Sequence, residues 1–148
     1  MGFTIGRRAE GRGYGLAPTD ARRRSGSHFT PRSLTEPIVR ATLGPVLDAL
    51  GARPKPGAIL AVKVCDPAMG AGAFLVEACR QLGDALARSW EAHGRPDGVV
   101  REDDRVAAAR VQVARCCLYG VDRNRLAVDL ARLSLWLVAR AKESPSAR

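Results

Sequence analysis

The stretch Val64-Cys65-Asp66-Pro67-Ala68-Met69-Gly70-Ala71-Gly72-Ala73-Phe74-Leu75 decides the fold of this chain. It follows an apolar run, Ile59-Leu60-Ala61-Val62-Lys63-Val64, that reads as a strand from about Ile59 to Cys65, buried on both faces as parallel strands usually are. The run ends at an acid, passes two glycines, and enters a helical pattern from Gly72 to about Glu91, with Phe74, Leu75, Ala78, Leu82, Ala85 and Leu86 on the buried side. A strand, a Gly-containing loop and a helix in that order make a crossover whose loop exposes backbone to a ligand. Glycine is needed where a ligand approaches the main chain more closely than a Cβ permits. Dinucleotide sites carry their acid later, at the end of the second strand. Here Asp66 already stands before the loop, which favours a cationic or amino-bearing ligand over a pyrophosphate.

Outward from this loop the chain alternates helix and strand. A helix is predicted from Thr35, with Thr35 as cap, Pro37 in the first turn, and Ile38, Val39, Thr42, Leu43, Val46, Leu47 and Leu50 on one face. Gly44-Pro45 should kink or interrupt it, Gly51 should close it, and Ala52 to Gly57 should be a connector. After a surface loop, His93 to Gly98, a helix is expected from Arg101 to about Arg115, with Val106, Ala109, Arg110 and Val113 at helical spacing. Cys117 to Val121 reads as a short strand ending at Asp122. The last helix, about Arg125 to Ala141, should lay Leu126, Val128, Leu130, Leu133, Trp136 and Leu137 on the sheet. Such alternation argues for a parallel α/β sheet with flanking helices. Two strands alone cover neither their edges nor their faces, so the chain reads as the opening portion of a larger Rossmann-like domain, stopping after the second strand-helix unit.

At 148 residues, 46% hydrophobic and 26% charged, there is room for one modest soluble domain with a mostly aliphatic core, since aromatics make up only 5%. No apolar run reaches bilayer length, and the first residues lack the apolar core of a secretory signal, so a cytoplasmic location is the expectation. The formal charge of +9 points to a polyanionic partner. Much of it lies early, in Arg7, Arg8, Arg12, Arg22, Arg23, Arg24 and Arg32. Residues 1–25 read as a flexible basic leader, residues 26–142 as the ligand-binding portion, and residues 143–148 as a frayed tail. The leader could contact phosphates, or be no more than a basic tail, for no aromatics interleave with its arginines. Cys65, Cys79, Cys116 and Cys117 show no CxxC spacing, and His28 and His93 stand apart. That pattern argues against a zinc site and for free thiols used as small core residues.

Two further segments bear on chemistry. Gly26-Ser27-His28-Phe29-Thr30-Pro31 precedes the first long helix, where Thr30 and a helix start suit an anion; an ordinary capped turn is the competing reading. Leu118-Tyr119-Gly120-Val121-Asp122-Arg123-Asn124 puts a second acid at the end of the second strand, placed for both hydroxyls of a ribose. Asn124 can cap the helix that follows, and a capping Asp122 without a ligand is the alternative.

Asp66 to Leu75 resembles the Asp-Pro-Ala-x-Gly-x-Gly-x-Phe-Leu motif of S-adenosylmethionine-dependent adenine-N6 DNA methyltransferases, in the large subfamily of restriction-modification and phage-exclusion systems. The hexapeptide before Arg32 is similar to their motif X, and the run from Leu118 to Leu137 to their second motif, with Asn124-Arg125 where members often have Asn-Pro. The resemblance implies a class I methyltransferase fold, S-adenosylmethionine as cofactor, and DNA as partner of the complete enzyme. It carries the cofactor site onto Phe29, Thr30, Pro31, Asp66, Pro67, Ala68, Gly70, Gly72, Phe74, Asp122 and Arg123, and names no catalytic and no metal-binding residue. Asp66 would meet the methionine ammonium and motif X its carboxylate. The two acids are further apart than the usual ~20 residues, and the helix from Arg101 fills the gap. The family's Asn/Asp-Pro-Pro-Tyr/Phe motif, which holds the flipped adenine, is not in the sequence. Two alternatives follow: a non-catalytic S-adenosylmethionine- or nucleic-acid-binding subunit of a split methyltransferase, completed by a second polypeptide, and a NAD-type Rossmann enzyme.

Overall fold

A computed structural model describes residues 3–7, 14–18, 30–95 and 102–140, with the backbone alone for 3–7, 14–18 and 102–104. Phe29 and the surface loop beyond Arg95 lie outside the described residues, as does the tail from 141. The leader, expected to lack regular structure, contains two strands, β1 (Phe3–Arg7) and β2 (Tyr14–Pro18). They pair antiparallel, Ile5 opposite Leu16. Aromatic and β-branched residues at alternate positions favour extended backbone even among arginines and glycines.

Helix α1 (Arg32–Ala49) begins one turn before the expected Thr35. Pro31 is its N-cap, and its carbonyl accepts the N–H groups of Leu34 and Thr35. Thr35 is buried and its hydroxyl donates back to the Arg32 carbonyl, so it is a core residue and not a cap. The helix runs through Gly44-Pro45 without interruption. Its inward stripe is narrower than expected: Val39 and Leu43 are buried with Leu47 and Leu50 against the core, while Ile38 and Val46 are exposed. Gly51, at a φ of 93°, closes it as anticipated.

The run read as one strand divides. Helix α2 (Pro56–Ala61) occupies its first part, and strand β3 holds only Val64–Asp66. Pro56 at the first helical position, after an extended Lys55, starts α2, and a short apolar run has no period that separates helix from strand. Ile59 becomes a fully buried helical residue. Lys63 closes the bend: its ammonium donates to the carbonyls of Leu60 and Cys116, at the ends of two helices.

Then come α3 (Ala73–His93), α4 (Glu102–Cys116), β4 (Leu118–Gly120) and α5 (Arg125–Arg140). β3 and β4 pair in parallel, Val64 with Leu118, Cys65 with Tyr119, Asp66 with Gly120. The result is a mixed helix-and-strand fold around a small parallel sheet. Val64 and Leu118 face the helices and join the core, whereas Cys65 and Tyr119, on the opposite face, are exposed. The core centres on α3, where Leu82, Leu86 and Trp90 are buried with Ile59 and Val113. α4 approaches α3 closely because residue 83 is glycine: a Cβ there would lie 2.5 Å from Arg110 Cγ. Arg110 is itself buried, its guanidinium 3.1 Å from Asp84.

Two assignments of side chains change. Cys79 and Cys117 are the small core residues expected, but Cys65 and Cys116 are exposed. Burial raises both inner thiols, Cys79 to about 11. In α5 Leu126, Leu133, Trp136 and Leu137 are exposed rather than laid on the sheet; Ala127, Ala131, Val138 and Ala139 are buried, and Val128 and Leu135 pack partly buried against the core. Among the described residues no helix is long and apolar enough to cross a membrane.

Candidate functional site

Asp66 ends β3, and Pro67 turns the chain with a fixed φ. The Asp66 carboxylate stabilises this turn, Oδ1 accepting the Ala68 N–H at 3.1 Å. Oδ2 meets no protein donor among the described residues. Pro67 and Ala68 are exposed, so the turn presents its outer side to solvent.

Gly70 and Gly72 both have positive φ, 54° and 83°. Their surroundings differ. A Cβ on Gly70 would meet nothing within 4 Å, whereas one on Gly72 would sit 2.9 Å from Ala131 Cβ. Gly70 leaves open space beside the loop, and Gly72 lets α5 press on the start of α3. Gly72 also forms the N-cap of α3, its carbonyl accepting the Val76 N–H. Phe74, expected on the buried side of the helix, is partly buried against the main core.

Three hydrogen bonds fasten the loop to the end of β4. Val121 N–H donates to the Asp66 carbonyl at 2.9 Å, and Met69 N–H to the Val121 carbonyl at 3.0 Å. The third uses a side chain: Gly70 N–H donates to Asp122 Oδ2 at 2.9 Å. Asp122 Oδ1 accepts the Asn124 N–H at 2.7 Å. Asn124 in turn caps α5 through its side-chain oxygen and Leu126 N–H, as its sequence position suggested. Asp122 therefore holds the loop and the helix start together, a role the sequence did not disclose. Each carboxylate oxygen has two acceptor positions, so one on each remains for a ligand. Arg123 and Arg125 are exposed beside it.

Beneath the loop lies a small cluster of Met69, Leu75 and Ala131. Gly120 completes it, since a Cβ there would collide with Met69 Sδ and lie 2.7 Å from Leu75 Cδ1. Met69 and Gly120 are assigned no role from sequence, although Gly120 stands two residues before Asp122 in the Leu118–Asn124 segment.

Thr30 is partly buried and Pro31 exposed at the N-terminus of α1. Among the described residues no hydrogen bond joins either to the glycine loop. The connection runs through the next residue: Arg32 Nε lies 3.4 Å from Glu77 Oε2 on α3. Thus the structure brings Asp66, Gly70 and Asp122 together at the ends of paired strands. Thr30 and Pro31 are tied to the same helix that leaves the loop.

The family model of the MmeI DNA-methyltransferase domain matches residues 56–145, well over half of the chain. A protein of Methanocaldococcus jannaschii, named as a type II restriction enzyme and methyltransferase, is 32% identical over 76 residues, 51% of this chain and 6% of that relative. The chain thus spans a small fraction of the length of the curated relative it matches. No solved structure matches it at a significant level.

Proposed function

This chain belongs to the MmeI DNA-methyltransferase domain family, and from that premise we propose that it provides the S-adenosylmethionine site of an adenine-N6 DNA methyltransferase of a restriction-modification or phage-exclusion system. The arrangement of Asp66, Gly70 and Asp122 at the ends of β3 and β4 carries this reading. The residues fit the cofactor. The open side of Gly70 can take a ligand against backbone, and the second oxygen of Asp66 can accept an ammonium. The remaining acceptor positions of Asp122 suit a ribose diol.

In this reading Asp66 holds the methionine ammonium through Oδ2, while Oδ1 keeps the turn at Ala68. Pro67, Ala68, Gly70 and Gly72 shape the backbone around it, with Phe74 anchoring the helix behind. Asp122 orients the ribose without releasing Gly70, and Arg123 lies beside it. Phe29, Thr30 and Pro31 form the carboxylate end, where the N-terminus of α1 favours negative charge. When bound, the cofactor supplies an activated methyl group to the adenine amine. The fold extends the small parallel sheet into a Rossmann-like one.

The groups that hold the flipped adenine come from polypeptide beyond these residues, in the same chain or in a second one, because no Asn-Pro-Pro-Tyr/Phe tetrapeptide occurs here. The uncovered large apolar residues of α5 support such an addition. The net charge of +9 supports DNA as the partner of the complete enzyme. Calorimetric titration tests the cofactor. S-adenosylmethionine should bind and NAD should not, with Asp66→Asn and Asp122→Asn each weakening the complex about tenfold or more. Binding of NAD in place of S-adenosylmethionine would sink the proposal.

A further inference from the structure

Glu77 is 2% exposed, one of the most deeply buried side chains among the described residues, and it is an acid in the second turn of α3. An unpaired buried carboxylate is strongly unfavourable, so its partners define its role. Oε2 lies 3.2 Å from Arg80 Nη1 and 3.4 Å from Arg32 Nε. Oε1 accepts from Gln81 Nε2 at 3.0 Å. Arg80 and Gln81 belong to α3, but Arg32 is the first residue of α1. Gln81 also reaches α1, since its Nε2 donates to the Glu36 carbonyl at 3.2 Å. Two routes therefore lead from one carboxylate to the start of α1. Arg32 is shared with Glu36, 3.3 Å away, which pairs in turn with Arg40.

A buried ion pair contributes little net stability compared with apolar packing, and its best-attested use is to fix register. Here the register is that of two helices whose first residues both lead to the methionine end of the proposed cofactor, α1 from Thr30-Pro31 and α3 from the glycine loop. Glu77 stands five residues past Gly72, about 7.5 Å along the helix axis. Arg32 stands two residues past Thr30. We propose that Glu77 is a positioning residue for the methionine end of the cofactor. It holds the Thr30-Pro31 segment at a set distance from the glycine loop. The proposal rests on the cofactor reading above and extends it to a residue that touches no ligand.

The two ends of the ligand give the test. S-adenosylhomocysteine carries the amino-acid group that the Thr30 segment would meet, and 5′-methylthioadenosine lacks it. Calorimetry on the full 148-residue chain should show Glu77→Gln weakening S-adenosylhomocysteine about tenfold while methylthioadenosine changes less than about twofold. Arg32→Gln alters an exposed side chain, keeps the fold if Glu77→Gln does not, and should give the same selectivity at about threefold. Equal losses for both ligands in Arg32→Gln, or no loss for either, would overturn the proposal while leaving the cofactor site intact. Failure of the unaltered chain to bind either ligand would instead overturn the cofactor reading, and this proposal with it.

Discussion

Helices α3 and α5 each follow a strand with an acid at or just beyond its end, yet they differ in the side chains they bury. α3 puts Leu82, Leu86 and Trp90 into the core, whereas α5 turns Ala127 and Ala131 inward and leaves Leu133, Trp136 and Leu137 exposed. At one contact distance decides: Ala131 of α5 lies so close to Gly72 that a small residue is needed there, while Val128, Leu135 and Val138 pack inward elsewhere on the helix. A hydrophobic face thus marks where large residues are, not which way the first contact points. α5 meets the start of α3 through a small residue and presents an exposed apolar outer face.

The largest effect should separate the two tryptophans. Trp90→Ala removes a side chain only 2% exposed and should destabilise by about 3–5 kcal/mol in urea unfolding. Trp136→Ala, at 55% exposure, should stay within about 0.5 kcal/mol. Equal costs would mean that the outer face of α5 is packed after all.

A pH titration sharpens the α3 side. Burial lifts the Cys79 thiol from 9.0 to about 11, so the folded state keeps its proton where the unfolded chain has lost it. Stability from this group is complete below the unfolded value and falls as pH rises from about 9 to about 11, by roughly 2–3 kcal/mol. Cys117 is shifted the same way. Comparing unfolding free energies of the unaltered chain and Cys79→Ala across this range isolates the effect; parallel curves would contradict it.

The α5 side is probed by enlarging its inner face. Ala131→Leu should cost about 1–3 kcal/mol by forcing α5 away from Gly72. Leu133→Ala, on the exposed face, should cost less than about 0.5 kcal/mol. Thermal unfolding of the pair shows whether close approach, and not apolar area, holds this helix.

Local chemistry was the most legible part of the sequence. The acid-glycine loop, the second acid and the Asn124 cap all follow from residue types whose behaviour is set within a few positions. The length of β3 was not legible, because Ile59 to Val62 has the same composition in a helix as in a strand and only Pro56 hints at the difference. The hairpin at Phe3 and Tyr14 was hidden by the arginines and glycines around it. The inner face of α5 depends on Gly72, more than fifty positions earlier, a contact that hydrophobic periodicity does not express. Asp122 shows the same limit within the site. Its residue type suggested a ribose ligand, and only the fold reveals that it also holds Gly70.

Backbone amide shifts in a ¹⁵N-labelled sample titrated with S-adenosylhomocysteine test the central claim most directly. The account predicts the largest changes at Ala68 to Gly72 and at Val121 to Arg123, the two segments joined by Asp122. Saturating ligand that leaves these amides unmoved, or moves those of another surface instead, would contradict it.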